Sequence, residues 1–205
     1  MGCEKNYLIN RITANWKKNA ETARVDNFPW AGLAADAYRP LTSARLAWDD
    51  SSIYVYMETD ETDLRMETRG FGPVHKDSCM EFFFCPEKNS SKYLNFELNP
   101  AGAMYLSLGT NRYNREILNI ENFSNEFQIR ANIHDSGWNL EYRISFDFLG
   151  SFFPGLEIKK GSQMRGNFYK CGDNTPRPHF GCWSPIDLQK PDFHCPEFFG
   201  TLTFV

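Results

Sequence analysis

The sequence predicts an all-β protein, an antiparallel β-sandwich of jelly-roll or immunoglobulin-like type with few short helices. Three observations carry that prediction. Apolar and polar residues alternate with a period of two along strand-length stretches, and turn-forming clusters separate those stretches at strand-like intervals. Aromatic residues make up 16% of the chain, with eighteen Phe and nine Tyr, which suits packed strands better than long helices. No internal repeat, low-complexity tract or charged linker divides the sequence. At 205 residues with 41% apolar content, a single domain over residues 1–205 can bury a substantial core.

Taken in order, residues 10–24 read as a helix or an initial strand, and Phe28-Pro29-Trp30 as an irregular apolar plug. Residues 44–48 and 53–59 form a hairpin around the turn-rich Asp49-Asp50-Ser51-Ser52. From Cys79 the alternation places Met80, Phe82 and Phe84 on one side and Glu81 and Phe83 on the other, with Pro86 ending the run. Residues 93–99 repeat the pattern: Leu94, Phe96 and Leu98 point to a core, and Asn95, Glu97 and Asn99 away from it. Asn99-Pro100-Ala101-Gly102 then turns the chain into residues 103–108, completing a meander. Residues 127–133 and 138–144 flank His134-Asp135-Ser136-Gly137, a second hairpin signature. Residues 146–153 read as a short helical or turn segment. Residues 163–171 and 199–204 close the strand order, joined by a long Pro-rich connection.

Composition excludes several functions. The formal net charge of −4, with both signs spread along the chain, offers no basic stripe to neutralise a phosphate backbone, so nucleic acid is not an expected partner. No apolar run has the length of a membrane span, so a membrane is not expected either. No basic region followed by an apolar one opens the chain. Met1-Gly2-Cys3 matches what trimming of a lipoprotein signal leaves, which keeps the location open between cytoplasmic, as the chain stands, and secreted or surface-attached. Six cysteines in a domain of this size are expected as free thiols rather than staples, with Cys79 and Cys85 as small apolar fillers inside a strand. Cys171, His179, Cys182, His194 and Cys195 are zinc-ligand types, but their spacing does not form paired units, so no metal ligand is assigned.

The face carrying Glu81, Glu97 and Asn99 offers directional donors and acceptors of the kind a polyhydroxylated ligand needs. The blocks His75-Lys76-Asp77-Ser78-Cys79-Met80-Glu81-Phe82-Phe83, residues 93–102, Trp138-Asn139-Leu140-Glu141, Arg165-Gly166-Asn167-Phe168-Tyr169 and Pro196-Glu197-Phe198-Phe199-Gly200 resemble, in order and spacing, the carbohydrate-binding modules of family nine over nearly the whole chain. The resemblance implies a non-catalytic β-sandwich, often attached to xylanases and related hydrolases. Such a module binds the ends of oligo- or polysaccharides in carbohydrate catabolism and commonly holds structural calcium. Asp60-Glu61-Thr62-Asp63 is the densest oxygen cluster, but a solvated acidic turn has the same sequence, and no calcium ligands are assigned.

It further implies a terminal sugar clamped between two rings. One ring position falls six residues before Glu81, at His75; the other falls in the segment before the closing strand, where Trp183 is the first candidate and Phe193 the second. Glu81 and Asn99 match ligand-contacting positions, and Glu97 stands where a basic residue is expected. Arg165, Asn167 and Tyr169 alternate with Gly166 and Phe168, so they are expected to share the face away from the core and line the same cleft. The competing reading of Trp183 is a plug sealing the sandwich end, and Trp16, Trp30, Trp48 and Trp138 are expected mainly in the core. Two further functions compete: a glycoside hydrolase using Glu81 and Glu97 as its acid pair, and a protein interaction module presenting exposed Phe and Tyr.

Overall fold

The computed structural model describes residues 5–31 and 37–205, so the Met1-Gly2-Cys3 start lies outside the described residues. In chain order the strands are β1 (Asn6–Arg11), β2 (Ala23–Val25), β3 (Thr42–Trp48), β4 (Ser52–Thr59), β5 (Cys79–Cys85), β6 (Tyr93–Leu98), β7 (Met104–Asn111), β8 (Asn114–Ile117), β9 (Arg130–His134), β10 (Gly137–Ser145), β11 (Gln163–Cys171), β12 (Phe180–Cys182) and β13 (Gly200–Phe204). Three short helices accompany them: α1 (Trp16–Asn19), α2 (Phe123–Glu126) and α3 (Phe146–Phe152). None of the described helices is long and apolar enough to cross a membrane.

The strands form two curled layers. One runs β8-β7-β6-β5-β11-β13-β1 and the other β1-β3-β4-β10-β9, with β12 added to β11 and β2 to β3. The expected hairpins are present: Asp49 accepts from the backbone N–H groups of Ser51 and Ser52 at the β3–β4 turn. The β6–β7 turn closes through Gly102 N–H to Asn99 O at 3.0 Å, and Gly102 takes φ +72, the left-handed conformation that a three-residue hairpin of this kind assigns to glycine.

The expectation of a wholly antiparallel sandwich needs one correction. β1 is parallel to both its neighbours, pairing Asn6–Ile9 with β13 and Asn10 and Arg11 with β3. It is the seam where one layer passes into the other. All other strand pairings among the described residues are antiparallel.

The main core lies between the layers. Phe82 stacks on Phe84 and Phe168 with centroids 4.7 and 4.8 Å apart, and Phe96, Trp138, Leu140 and Phe204 pack around them. Each such side chain contributes roughly 1.5–3 kcal/mol when fully buried. The opposite face of β5 is buried too, which the alternation does not show. Phe83 is 1% exposed, and it packs with Tyr93, Tyr169, Phe193 and Phe199 in a second cluster. The Pro-rich segment between β12 and β13 supplies Phe193 and Phe199, lies against that face and turns a sheet surface into a second core.

Candidate functional site

Strand register gathers the acids. Glu81 of β5 faces Glu97 of β6 on one side and Tyr169 of β11 on the other. Directly opposite residues on one sheet face have Cβ atoms about 4.5–5.5 Å apart, so the two carboxyls are neighbours. Between sheet and tail lies a hollow of about 260 Å3. Glu81, Glu97 and Cys171 reach it from the sheet, and His75 from the 3-10 turn before β5. Arg112 and Arg115 enter from the β7–β8 hairpin, and Asp173, Phe180, Phe193 and His194 from the tail.

The charges there are incompletely answered. Glu81 is 2% exposed and accepts the Cys171 thiol at 3.0 Å. Burial first, and the neighbouring Glu97 charge second, push the Glu81 carboxyl well above the usual carboxylate range. Glu97 Oε1 accepts from Asn95 Nδ2 at 2.8 Å, whereas its buried Oε2 has no hydrogen-bond partner and faces His75 Nδ1 at 3.8 Å. That carboxylate raises the His75 imidazole above its ordinary value, against the opposing effect of burial. Asp173 is also raised, chiefly by burial. His194 is pushed down to about 2 by burial and then by Arg115 and Arg112. The neutral ring accepts Arg115 Nη1 on Nε2 at 2.7 Å and meets the Tyr93 hydroxyl with Nδ1 at 2.8 Å. Chemically the hollow offers acids able to accept or donate, two guanidinium groups and aromatic edges.

A wider, more open groove of about 700 Å3 lies along β2, β3 and β4. There Arg45 and Glu58 answer each other at 2.6 Å. No orphaned buried polar atom of a described residue lines it.

Of the eight site residues expected from the sequence, His75, Glu81 and Glu97 meet at the hollow. The other five have structural occupations. Trp183 is 4% exposed and belongs to the core between the layers, edge-on to Tyr7 and Phe168 with centroids 6.3 and 5.7 Å away. It lies so close over Gly200 that a Cβ there would come within 2.6 Å of the indole. The stacking role expected of Trp183 is therefore corrected: the indole plugs the sandwich, and the tail rings at the hollow are Phe180 and Phe193.

Arg165, Asn167 and Tyr169 do share the sheet face with Glu81, but the tail covers them. Arg165 donates to the carbonyls of Lys88, Ser90 and Pro196. Asn167 donates to Ser184 O and accepts from Ser184 N–H. The Tyr169 hydroxyl donates to Phe193 O, and its ring stacks on Phe193 at 4.1 Å. Asn99 braces its turn, accepting from the N–H groups of Ala101 and Ala103 and donating to Thr68 O and Asp77. The exposed aromatic expected on this face, Phe83, is buried. Of the residues that sequence reasoning missed, Arg112 and Asp173 sit in turns and Arg115 and Phe180 on the short strands β8 and β12, where too few residues alternate to mark direction.

The Asp60–Asp63 turn, the densest oxygen cluster in the sequence, does not fit a calcium ion. Glu61 points inward and is 0% exposed, while Thr62 and Asp63 are exposed, so the oxygens do not converge. The Glu61 carboxylate already holds the Lys170 ammonium at 2.8 Å and the Trp138 indole N–H at 3.2 Å. A second cation beside it would meet that ammonium.

Comparison with known proteins agrees with this architecture. A candidate carbohydrate-binding protein from Bacteroides uniformis ATCC 8492 is similar at 29% identity and TM-score 0.83, over 99% of this chain and 100% of that one. A family 9 carbohydrate-binding module from Caldicellulosiruptor kristjanssonii in complex with glucose shares the fold at 15% identity and TM-score 0.66, over 98% and 96% of the two chains. The same organism's module in complex with cellotriose does so at 14% and 0.67, over 98% and 93%. A search of curated proteins finds no match. The profile of carbohydrate-binding family 9 matches residues 12–204, and the chain belongs to that family.

Proposed function

We propose that the hollow between sheet and tail receives one ring of a saccharide, presented by a chain end, and holds it without turnover. The observation that carries this reading is the meeting of Glu81, Glu97 and His75 with Phe180 and Phe193 in one small, partly enclosed space. Acids that lack full partners can take sugar hydroxyls, and the apolar C–H face of a pyranose can lie against a phenyl ring. The volume falls below the roughly 300–1,000 Å3 of drug-sized ligand sites, which suits a single ring entering end-on. The family, and the glucose and cellotriose held in the Caldicellulosiruptor kristjanssonii complexes, support an oligosaccharide as ligand.

For Glu81 and Glu97, neighbours on one sheet face, binding without hydrolysis is the reading that the carbohydrate-binding family supports. Their roles are to accept and orient. Affinity is expected to be weak to moderate, because a hollow this small removes little apolar area from water.

Calorimetric titration with glucose, cellotriose and uronic-acid-terminated oligosaccharides tests the reading. Saturable binding is expected with at least one of them. Glu81→Gln should weaken it about 10–100-fold, the worth of a charge-assisted hydrogen bond, with the melting curve confirming an intact fold. Unchanged affinity in Glu81→Gln and Phe193→Ala would overturn the assignment.

A further inference from the structure

Cys79 and Cys171 stand directly opposite each other on β5 and β11, and Glu81 lies two residues along β5 on the same face. The two Sγ atoms and a Glu81 carboxylate oxygen all fall within 4.8 Å of one another, and all three residues are buried. Glu81 and Cys171 also line the hollow, so the cluster has an open side. Of the zinc-ligand types noted in the sequence (Cys171, His179, Cys182, His194 and Cys195), this trio shares Cys171 alone. His179 and His194 are engaged elsewhere, with Lys170 and Arg115.

A second, independent observation concerns charge. Glu97, opposite Glu81, is 3% exposed, and its Oε2 atom is buried without a hydrogen-bond partner. Among the described residues neither Glu81 nor Glu97 forms an ion pair with lysine or arginine; the imidazole of His75, 3.8 Å from Glu97, is the nearest compensation. A buried acid pair so placed is short of positive charge.

We infer that Cys79, Glu81 and Cys171 form a binding site for a thiophilic divalent cation, zinc above all. Three protein ligands hold it, and the fourth position opens to the hollow. Two sulfurs and one carboxylate oxygen are a donor set that zinc accepts in tetrahedral geometry and that calcium and magnesium do not. Zn–S and Zn–O bonds of about 2.3 and 2.0–2.2 Å place tetrahedral ligand atoms roughly 3.5–3.8 Å apart, so the cluster needs to contract only modestly. Binding releases one proton from each thiol to solvent, and one from Glu81 if the carboxyl carries it; nothing is oxidised. Glu97 Oε2 or a water completes the coordination. The inference does not depend on the saccharide reading, since it requires no sugar.

The test uses the full chain, reduced and freed of metal, titrated with cobalt(II) and then with zinc, without saccharide. One equivalent of cobalt should produce thiolate-to-cobalt charge-transfer absorption, which zinc abolishes, with proton release measurable in weak buffer. Cys171→Ser should lose the absorption, and Glu81→Gln, nearly isosteric and so expected to fold, should weaken zinc binding by more than the roughly 10–100-fold that losing a mere orienting residue costs. Cys195→Ser should leave the titration unchanged. Absence of stoichiometric binding, an unaltered titration in folded Glu81→Gln and Cys171→Ser, or a Cys79–Cys171 disulfide in protein isolated without reductant would overturn the inference. If sugar binding fails while cobalt binds, the saccharide proposal alone falls.

Discussion

Buried carboxylates lie on both faces of β11, Glu61 on one and Glu81 with Glu97 on the other, and the protein treats the two sides in opposite ways. On the face toward the main core, Glu61 meets Lys170, whose three ammonium hydrogens have three acceptors: Glu61 Oε2 at 2.8 Å, His179 Nε2 at 2.8 Å and Cys171 O at 3.0 Å. On the other face, Glu81 and Glu97 stand side by side with no ammonium or guanidinium bonded to either among the described residues. Glu61 Oε1 has no hydrogen-bond partner, but the carboxylate is answered by a bonded ammonium and forms a structural joint. A buried acid with no such cation bonded to it is where a ligand gains most, because binding supplies what the fold withheld. The comparison teaches that burial alone does not separate architecture from function; the completeness of the charge accounting does.

The sharpest way to break the comparison is Lys170→Met. It leaves Glu61 uncompensated at 0% exposure and should cost about 3–5 kcal/mol in urea unfolding, whereas the double variant Lys170→Met/Glu61→Gln should recover most of the loss. Equal instability of the two would show that packing, not charge, governs the joint.

Next in size is a pH effect. Burial first and the Lys170 charge second push His179 down to about 4, against the Glu61 carboxylate and the hydrogen bond to Arg177 O, so Nε2 stays an acceptor for the ammonium. The unfolded chain takes up this proton near the ordinary histidine value of about 6.5. The folded form therefore keeps its full advantage above that pH and loses it as pH falls toward 4, by about 3 kcal/mol. Denaturation curves at pH 7 and pH 4.5 should show the loss, and His179→Gln should remove about half of it, because His194, pushed down further, acts over the same window. A wild-type stability independent of pH over this window would contradict the proposed tautomer.

The smallest expected effect is none. Millimolar calcium, or a calcium-selective chelator, should leave the melting temperature where it was, because Lys170 already occupies the cationic place beside Glu61. A rise with calcium would mean that the Asp60–Asp63 turn rearranges to bind it.

Much of the fold was legible because period-two alternation and turn chemistry are local: the β3–β4 hairpin and the β5–β6–β7 meander follow from them. The parallel seat of β1 was not, since it depends on pairing Asn6 with Thr201 across the whole chain. At the site, His75, Glu81 and Glu97 could be found because two lie on regular strands and the third precedes one by a few residues. Trp183 could not be placed. Between Cys182 and Ser184-Pro185 no periodicity fixes a direction, and whether an indole there faces a ligand or a core depends on Gly200, Tyr7 and Phe168 far away in sequence. Arg165, Asn167 and Tyr169 were placed on the correct face, but alternation says which side a residue takes and not whether a later segment covers it.

The seam strand has a kinetic corollary. Because β1 joins the two layers only by lying beside β13, the sandwich cannot lock until the region around residue 201 has been synthesised. Until then the edges of β1 and β11 that receive β13 stay unpaired, which predicts slow acquisition of the native state and a nascent form prone to associate.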